Sequence, residues 1–268
     1  MTMLEPENFF DLTDFAYADL FSGGGHVWDA LRRLKSYCDD VAAQAIDHER
    51  LIRGELVDEP LVLYQGAISS GRDCSIRYGD ATRGGLQVFR GNEQLIGASV
   101  IMAGAVFLGG RIRIGSGVLV ESGAMIKEPA VIGDHTEIRQ GAYLRGYCLV
   151  GRRCVVGHAT EVKHSVFLND AKAGHFAYVG DSVLGGGVNL GAGTKLANFR
   201  FIPGEVQVRT GDGPIPTGLK KFGAIFGDRV QTGCNAVTSP GAVVGRESVI
   251  MPNTTVRSGY HPPGSVLR

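Results

Sequence analysis

The chain has 268 residues, 44% of them apolar and 20% charged, and its 27 Lys+Arg are balanced by 27 Asp+Glu. That length holds one large domain or two ordinary ones, and zero net charge gives no reason to expect a nucleic-acid partner. No stretch approaches the ~20 apolar residues that span a bilayer, and the acidic, polar N-terminus lacks a secretory pattern, so no membrane partner is expected. The five cysteines (Cys38, Cys74, Cys148, Cys154 and Cys234) are odd in number and form no CxxC. They read as reduced thiols of a cytoplasmic protein.

In chain order, residues 8–50 read as helical, within an N-terminal helical arm over 1–56. Trp28, Leu31, Leu34 and Cys38 recur at helical spacing, and a shorter helix is expected around 12–21. Gly23, Gly24 and Gly25 separate the two. GGGH lacks the Lys-Ser/Thr ending and the preceding strand of a phosphate loop, so it reads as a linker. Residues 57–95 are strand-like but irregular and predict lead-in strands against the start of a second domain, 57–268.

From Ile96 the chain adopts a period of six: Ile96, Met102, Leu108, Ile114, Val120, Ile126, Ile132, Ile138, Leu144, Val150, Val156, Val162 and Leu168 are all aliphatic. The position four after each is usually small or β-branched, and the residue directly after is often Gly. Six matches neither the 3.6 of a helix nor the 2 of a simple strand. It fits a triangular coil in which each hexapeptide supplies one short strand and one corner, with roughly eighteen residues per turn. The aliphatic residues should point into a narrow core, and glycines, 40 in all, should serve the corners. The expected class is all-β, a parallel β-helix behind a helical arm.

The register slips after Leu168 and resumes at Leu184, Leu190 and Leu196. It breaks again over 199–223, FIPGEVQVRTGDGPIPTGLKK and its flanks, and returns at Phe226, Thr232, Thr238, Val244, Ile250 and Val256. A break of that length inside a compact domain predicts a functional loop excursion.

The segment GHATEVKHSVFLNDAKAGHFAYVGDSVLGGGVNLGAGTKLANFR, over 157–200, resembles the acetyltransferase domain of the bifunctional N-acetylglucosamine-1-phosphate uridylyltransferase / glucosamine-1-phosphate N-acetyltransferase family. YVGDS, GAGTKLANFR and LKKFGAIFGD are closest to the archaeal-type sugar-1-phosphate nucleotidylyltransferase/acetyltransferase branch, and the resemblance covers roughly 96–256. It implies a left-handed coil and a homotrimer with active sites between coils. It also implies acetyl-CoA as co-substrate, an amino-sugar phosphate as acceptor, and a place in UDP-N-acetylglucosamine biosynthesis. His175 matches the general base, Glu161 its supporting carboxylate, and Asn198 an Asn implicated in acetyl transfer. Tyr178 and Asn189 match sugar-phosphate contacts, and Arg145 and Lys163 the phosphate-binding cations. Lys220 and Lys221 resemble loop lysines of the archaeal branch. Ala192 and Cys234 fall where the family contacts the thioester and pantetheine; the bacterial pattern has Ser in place of Cys234. The family's LxxGxGTRL-type nucleotide motif does not occur, so the resemblance is to the acyltransferase half.

These residue types suit the chemistry. An amine attacking a thioester must lose a proton, which an imidazole can take near neutral pH. The tetrahedral oxyanion needs fixed N–H donors, which Gly-rich corners can supply. Arg grips phosphate in a bidentate way. His158 and His164 lie six apart, which would place them on one face, but the spacing is not that of the His ligands in γ-carbonic anhydrases, and no metal is expected. The rival reading is a non-catalytic coil that binds sugar phosphates or assembles with a separate nucleotidylyltransferase.

Overall fold

The computed structural model describes residues 4–43, 51 and 53–268. The part of the expected arm over 44–50 and at 52 lies outside the described residues. From Ser99 onward the chain winds through short strands that stack into three parallel faces. Face I carries Val106–Leu108, Met125–Lys127, Tyr143–Arg145, Glu161–Lys163, Tyr178–Gly180, Lys195–Leu196, Val237–Thr238 and Thr255–Val256. Face II includes Leu119–Val120, Glu137–Ile138, Val155–His158, Lys172–His175, Asn189–Leu190 and Gln231–Thr232. Face III includes Ala130–Ile132, Cys148–Val150, Ser165–Phe167, Val183–Leu184, Ala224–Phe226 and Ala242–Val244. Each turn runs face II, face I, face III, and every strand pairs with its counterpart above and below. This is the β-helix that the hexapeptide period predicts.

The interior is a column of aliphatic side chains from Ile101 to Val256, including Ile132, Leu144, Val150 and Val162. Ile114 packs against it while partly exposed. The small positions line the bends. Where they are polar, their side chains bond to neighbouring backbone: Thr136 Oγ1 donates to the Gly151 carbonyl at 2.8 Å, and Ser165 Oγ to that of Lys163 at 2.9 Å. A polar atom buried at a bend therefore keeps its hydrogen bond.

Four members of the step-six series do not point inward. In the first turn, Ile126 pairs with Phe107 and Val120 with Ile101. That turn is one residue longer than the later ones, so Ile101 and Phe107 take the inward places of Met102 and Leu108. Ile96 lies before the coil and is 79% exposed. At the other end, Cys148 pairs with Ser165 and Val150 with Phe167, one residue short of the usual turn. Phe167 enters the core, and Leu168 is buried on the outside of the coil. A one-residue change in a strand exchanges its two faces, so the slip falls before Leu168 rather than after it.

The described part of the N-terminal segment contains the α-helix α1 (Asp29–Val41) and two short 3-10 turns, Pro6–Asn8 and Ala18–Phe21. The helix expected around 12–21 is only the second of these turns. Gly23, Gly24 and Gly25 all have positive φ, and a Cβ at Gly25 would meet the Asp29 carboxylate at 2.6 Å. That carboxylate accepts the His26 N–H at the start of α1. Leu31, Leu34, Cys38 and Trp28 turn one side of the segment toward face III, where Val131, Leu149, Val166, Val183, Ile225 and Val243 are buried beneath it. The excursion over 199–223 contains an antiparallel hairpin, Gln207–Thr210 with Gly213–Pro216. Val206, Val208 and Phe222 join the same apolar layer. Face III is thus covered, and the outer sides of faces I and II carry the polar side chains discussed below.

Candidate active site

The corner between faces II and I stacks His158, His175, Ala192 and Cys234 in successive turns. Backbone bonds fix the column: Phe176 N–H donates to the His158 carbonyl at 2.8 Å, Gly193 N–H to His175 at 3.0 Å and Asn235 N–H to Ala192 at 2.8 Å. Phe176 and Asn235 hold positive φ to make the bend. His175 is exposed, and among the described residues its ring has no hydrogen-bond partner. Its neighbour is the Phe176 ring, at 6.3 Å. The backbone N–H groups of Ala192 and Cys234 donate no hydrogen bond within the described chain.

Beside that corner, strand alternation sends Tyr143, Arg145, Glu161, Lys163, Tyr178 and Lys195 to the outer side of face I. Arg145 donates to Glu161 Oε1 at 2.6 Å and lies over the Tyr143 ring at 5.9 Å. Glu161 is thereby turned along face I toward Arg145, and no hydrogen bond joins it to His175. The two share one corner, on successive turns.

The far corner, between faces I and III, holds a residue that sequence reasoning missed. Asp181 is 5% exposed and accepts from Lys163 Nζ at 2.9 Å, from His164 Nδ1 at 2.9 Å and from Asn198 Nδ2. Burial pushes its carboxyl up, but the bonds from His164, Lys163 and Asn198 outweigh that and hold it below the usual value of 3.8. Asn198 also lies beside Tyr178. A Cβ at Gly180 would meet Tyr178 Oη at 2.6 Å and Asn198 Nδ2 at 2.7 Å, so glycine is required by close approach there. Burial, and then the charges of Glu161 and Asp181, raise the Tyr178 phenol. Asp181 therefore ties together Lys163 and Asn198, two residues that the resemblance singles out. The signal available was the Asp of YVGDS, seventeen residues beyond His164, which is one turn in this part of the coil.

Stability should report this network. Because the folded carboxyl titrates below its unfolded value, its contribution is complete above about pH 4 and is lost as pH falls through the folded value. Asp181→Asn should cost about 2–3 kcal/mol at pH 7. The gap between variant and wild type in urea melts should close as pH drops toward 3. A gap that stayed constant with pH would show that Asp181 is not held as a carboxylate.

The remaining expected residues lie apart. Asn189 is exposed on face II between Lys172 and Gln231, away from Tyr178 on face I. Lys220 and Lys221 are exposed on the return from the excursion, and Lys221 pairs with Phe199. His158 and His164 do not share a face. They occupy the two opposite corners of face I, the first bonded to the Gln140 carbonyl and the second to Asp181, because a hexapeptide step crosses one face. Among the described residues no group of three potential ligands could hold a metal, and no helix is long and apolar enough to cross a membrane.

The family model described as the GMPPB C-terminal domain matches residues 126–233, which hold His175, Ala192 and the face I side chains but not Cys234. A bifunctional sugar-1-phosphate nucleotidylyltransferase/acetyltransferase of Sulfurisphaera tokodaii is 42% identical over 91 residues, 34% of this chain and 23% of that protein. The bifunctional protein GlmU of Methanococcus maripaludis strain C7 is 37% identical over 91 residues, 34% of this chain and 22% of its own length. Over about a third of its length the chain is thus similar to bifunctional sugar-1-phosphate nucleotidylyltransferase/acetyltransferases. GlmU of Picosynechococcus sp. extends the similarity at 31% over 88 residues, 33% of this chain and 16% of that protein. The chain spans about a quarter or less of the length of the curated relatives it matches.

Proposed function

We propose that the chain transfers an acetyl group from acetyl-CoA to the amine of an amino-sugar 1-phosphate such as glucosamine-1-phosphate. One observation carries the reading: His175, exposed and without a hydrogen-bond partner among the described residues, stands in one corner column with Ala192 and Cys234, beside the face that bears Arg145, Lys163 and Tyr178. The acceptor amine would attack the thioester carbonyl while His175 takes the amine proton. Collapse of the tetrahedral intermediate expels the CoA thiolate, and the imidazolium returns the proton to it. The free N–H groups at Ala192 and Cys234 are suited to the developing oxyanion and to the pantetheine amides. Since a backbone N–H serves, Cys in place of Ser at 234 is compatible with the role. Arg145, Lys163, Tyr178 and Asn189 would hold the sugar phosphate, with Lys220 and Lys221 reaching in from the excursion, and Asn198 would assist acetyl transfer.

Asn189 lies on a different face from Tyr178, which supports a site completed by two copies and hence a homotrimer. Light scattering should return three times the chain mass of 28.5 kDa at micromolar concentration, and a monomer would remove the shared site. The second reading, a non-catalytic module that binds sugar phosphates or assembles with a separate nucleotidylyltransferase, is favoured by one feature. Arg145 and Lys163 are already paired with Glu161 and Asp181. Thiol release from acetyl-CoA with a panel of amino-sugar phosphates separates the two: release with at least one acceptor supports the transferase, and none with any acceptor favours the module.

A further inference from the structure

A cavity lies lower on the coil than the His175 corner. It occupies about 730 Å³ between the outer side of face II, low in the coil, and the segment Tyr78–Gly79–Asp80 that ends the strand Cys74–Tyr78. Tyr78 forms its lip and is 50% exposed; Met102 and Leu119 supply an apolar floor. Glu137 is buried at the back, one carboxylate oxygen accepting the Ala81 N–H at 2.8 Å and the other pairing with Arg139 at 2.7 Å. That pair fixes Arg139 and leaves its Nη1 without a partner among the described residues.

Several other polar atoms around the cavity have no partner among the described residues: the Gln140 amide, the Ser122 hydroxyl, the Tyr78 hydroxyl and one oxygen of Glu121, whose other oxygen holds Gln140 N–H. The set mixes donors and acceptors around an aromatic ring and an apolar floor. Among the lining residues three carboxylates, Asp80, Glu121 and Glu137, stand against one guanidinium, Arg139, while Arg83 pairs with Asp80 outside the lining. A phosphate or the CoA pyrophosphate would be repelled. A ring with apolar C–H faces and alternating hydroxyls matches both the platform and the donor-acceptor set.

The cavity also has a position relative to His175. The Gln140 carbonyl is contacted by the His158 ring at 3.0 Å, and His158 pairs directly with His175 one turn above. Gln140 is therefore two turns below His175 along the same corner, about 10 Å at the spacing of stacked strands. We propose that this cavity binds an uncharged or amine-bearing sugar ring and lengthens the acceptor site from one ring at His175 to a second ring below it. The role as part of an acceptor site rests on the acyl-transfer reading; the binding itself does not.

The test uses the full chain with N-acetylglucosamine and its β-1,4-linked dimer, read by saturation-transfer NMR and calorimetric titration. Both sugars should bind, the dimer more tightly. Tyr78→Ala and Gln140→Ala should each weaken binding at least tenfold. Because Tyr78 is exposed at the lip, its variant should melt like wild type. A His175→Ala chain should still bind the monomer. No binding of either sugar, or binding unchanged in both cavity variants, overturns the proposal. So does loss of monomer binding in His175→Ala, which would place the sugar at the upper corner instead. Cavity binding in a chain that releases no thiol with any acceptor would leave this site standing while removing the acyl-transfer reading.

Discussion

A His175→Ala chain that folds normally should lose roughly 10²–10⁴ in kcat for acetyl transfer, the usual range for removing a general base. Acetyl-CoA binding should change far less, because the Ala192 and Cys234 corners are backbone features that the substitution leaves in place. Arg145→Ala supplies the contrast. It removes a cation from face I, so it should mainly raise KM for the phosphorylated acceptor. It also frees the Glu161 carboxylate from its 2.6 Å bond. If that freed carboxylate engages His175, the pH profile of kcat should shift in the Arg145 variant and stay put in a Lys163→Ala variant, since Lys163 pairs with Asp181. Wild-type transfer by folded His175→Ala would show that another group takes the proton.

The largest expected effect on stability is at Val150. Its side chain is fully buried and lies on face III between Ile132 below and Phe167 above. Val150→Asp would place an unpaired carboxylate in an apolar column too narrow for water to follow, at a cost of about 4 kcal/mol or more. A soluble chain with a urea midpoint well below wild type, or no folded chain at all, is expected. An unchanged midpoint would mean that the side chain does not point inward.

What the sequence reveals of this fold is set by how strictly the chain keeps time. From Ile126 to Val162 every sixth residue is inward, and the repeat alone places them. The errors at Met102, Leu108 and Leu168 arise where one turn gains a residue and another loses one. A count by six cannot sense such a change, because the neighbours that slide into place, Ile101, Phe107 and Phe167, are equally apolar. The column of His175, Ala192 and Cys234 was legible through motif resemblance, since those residues sit in recognisable strings. Asp181 was visible in YVGDS but carried no assigned role, because an Asp at a corner with positive φ looks like any turn residue. Its function in the network comes from Lys163 and His164 one turn earlier, a relation that exists only once the turns are stacked. The cavity beside Tyr78 was invisible for another reason: antiparallel strands over 74–90 do not follow the six-residue beat, so the sequence marks them only as irregular.

The arm on face III alters how such a coil comes apart. A bare stack of turns is nearly one-dimensional: each rung touches only its neighbours, and the ends can fray one rung at a time. Here one short apolar segment, Leu4 to Ala42, rests on Val131, Leu149, Val166, Val183, Ile225 and Val243, which belong to six successive rungs. Lifting any of the middle rungs strips contacts from the segment and so weakens its hold on the others. The arm works as a splint laid lengthwise across a stack, coupling rungs that share no hydrogen bonds and favouring collective melting of this stretch over unzipping from an end.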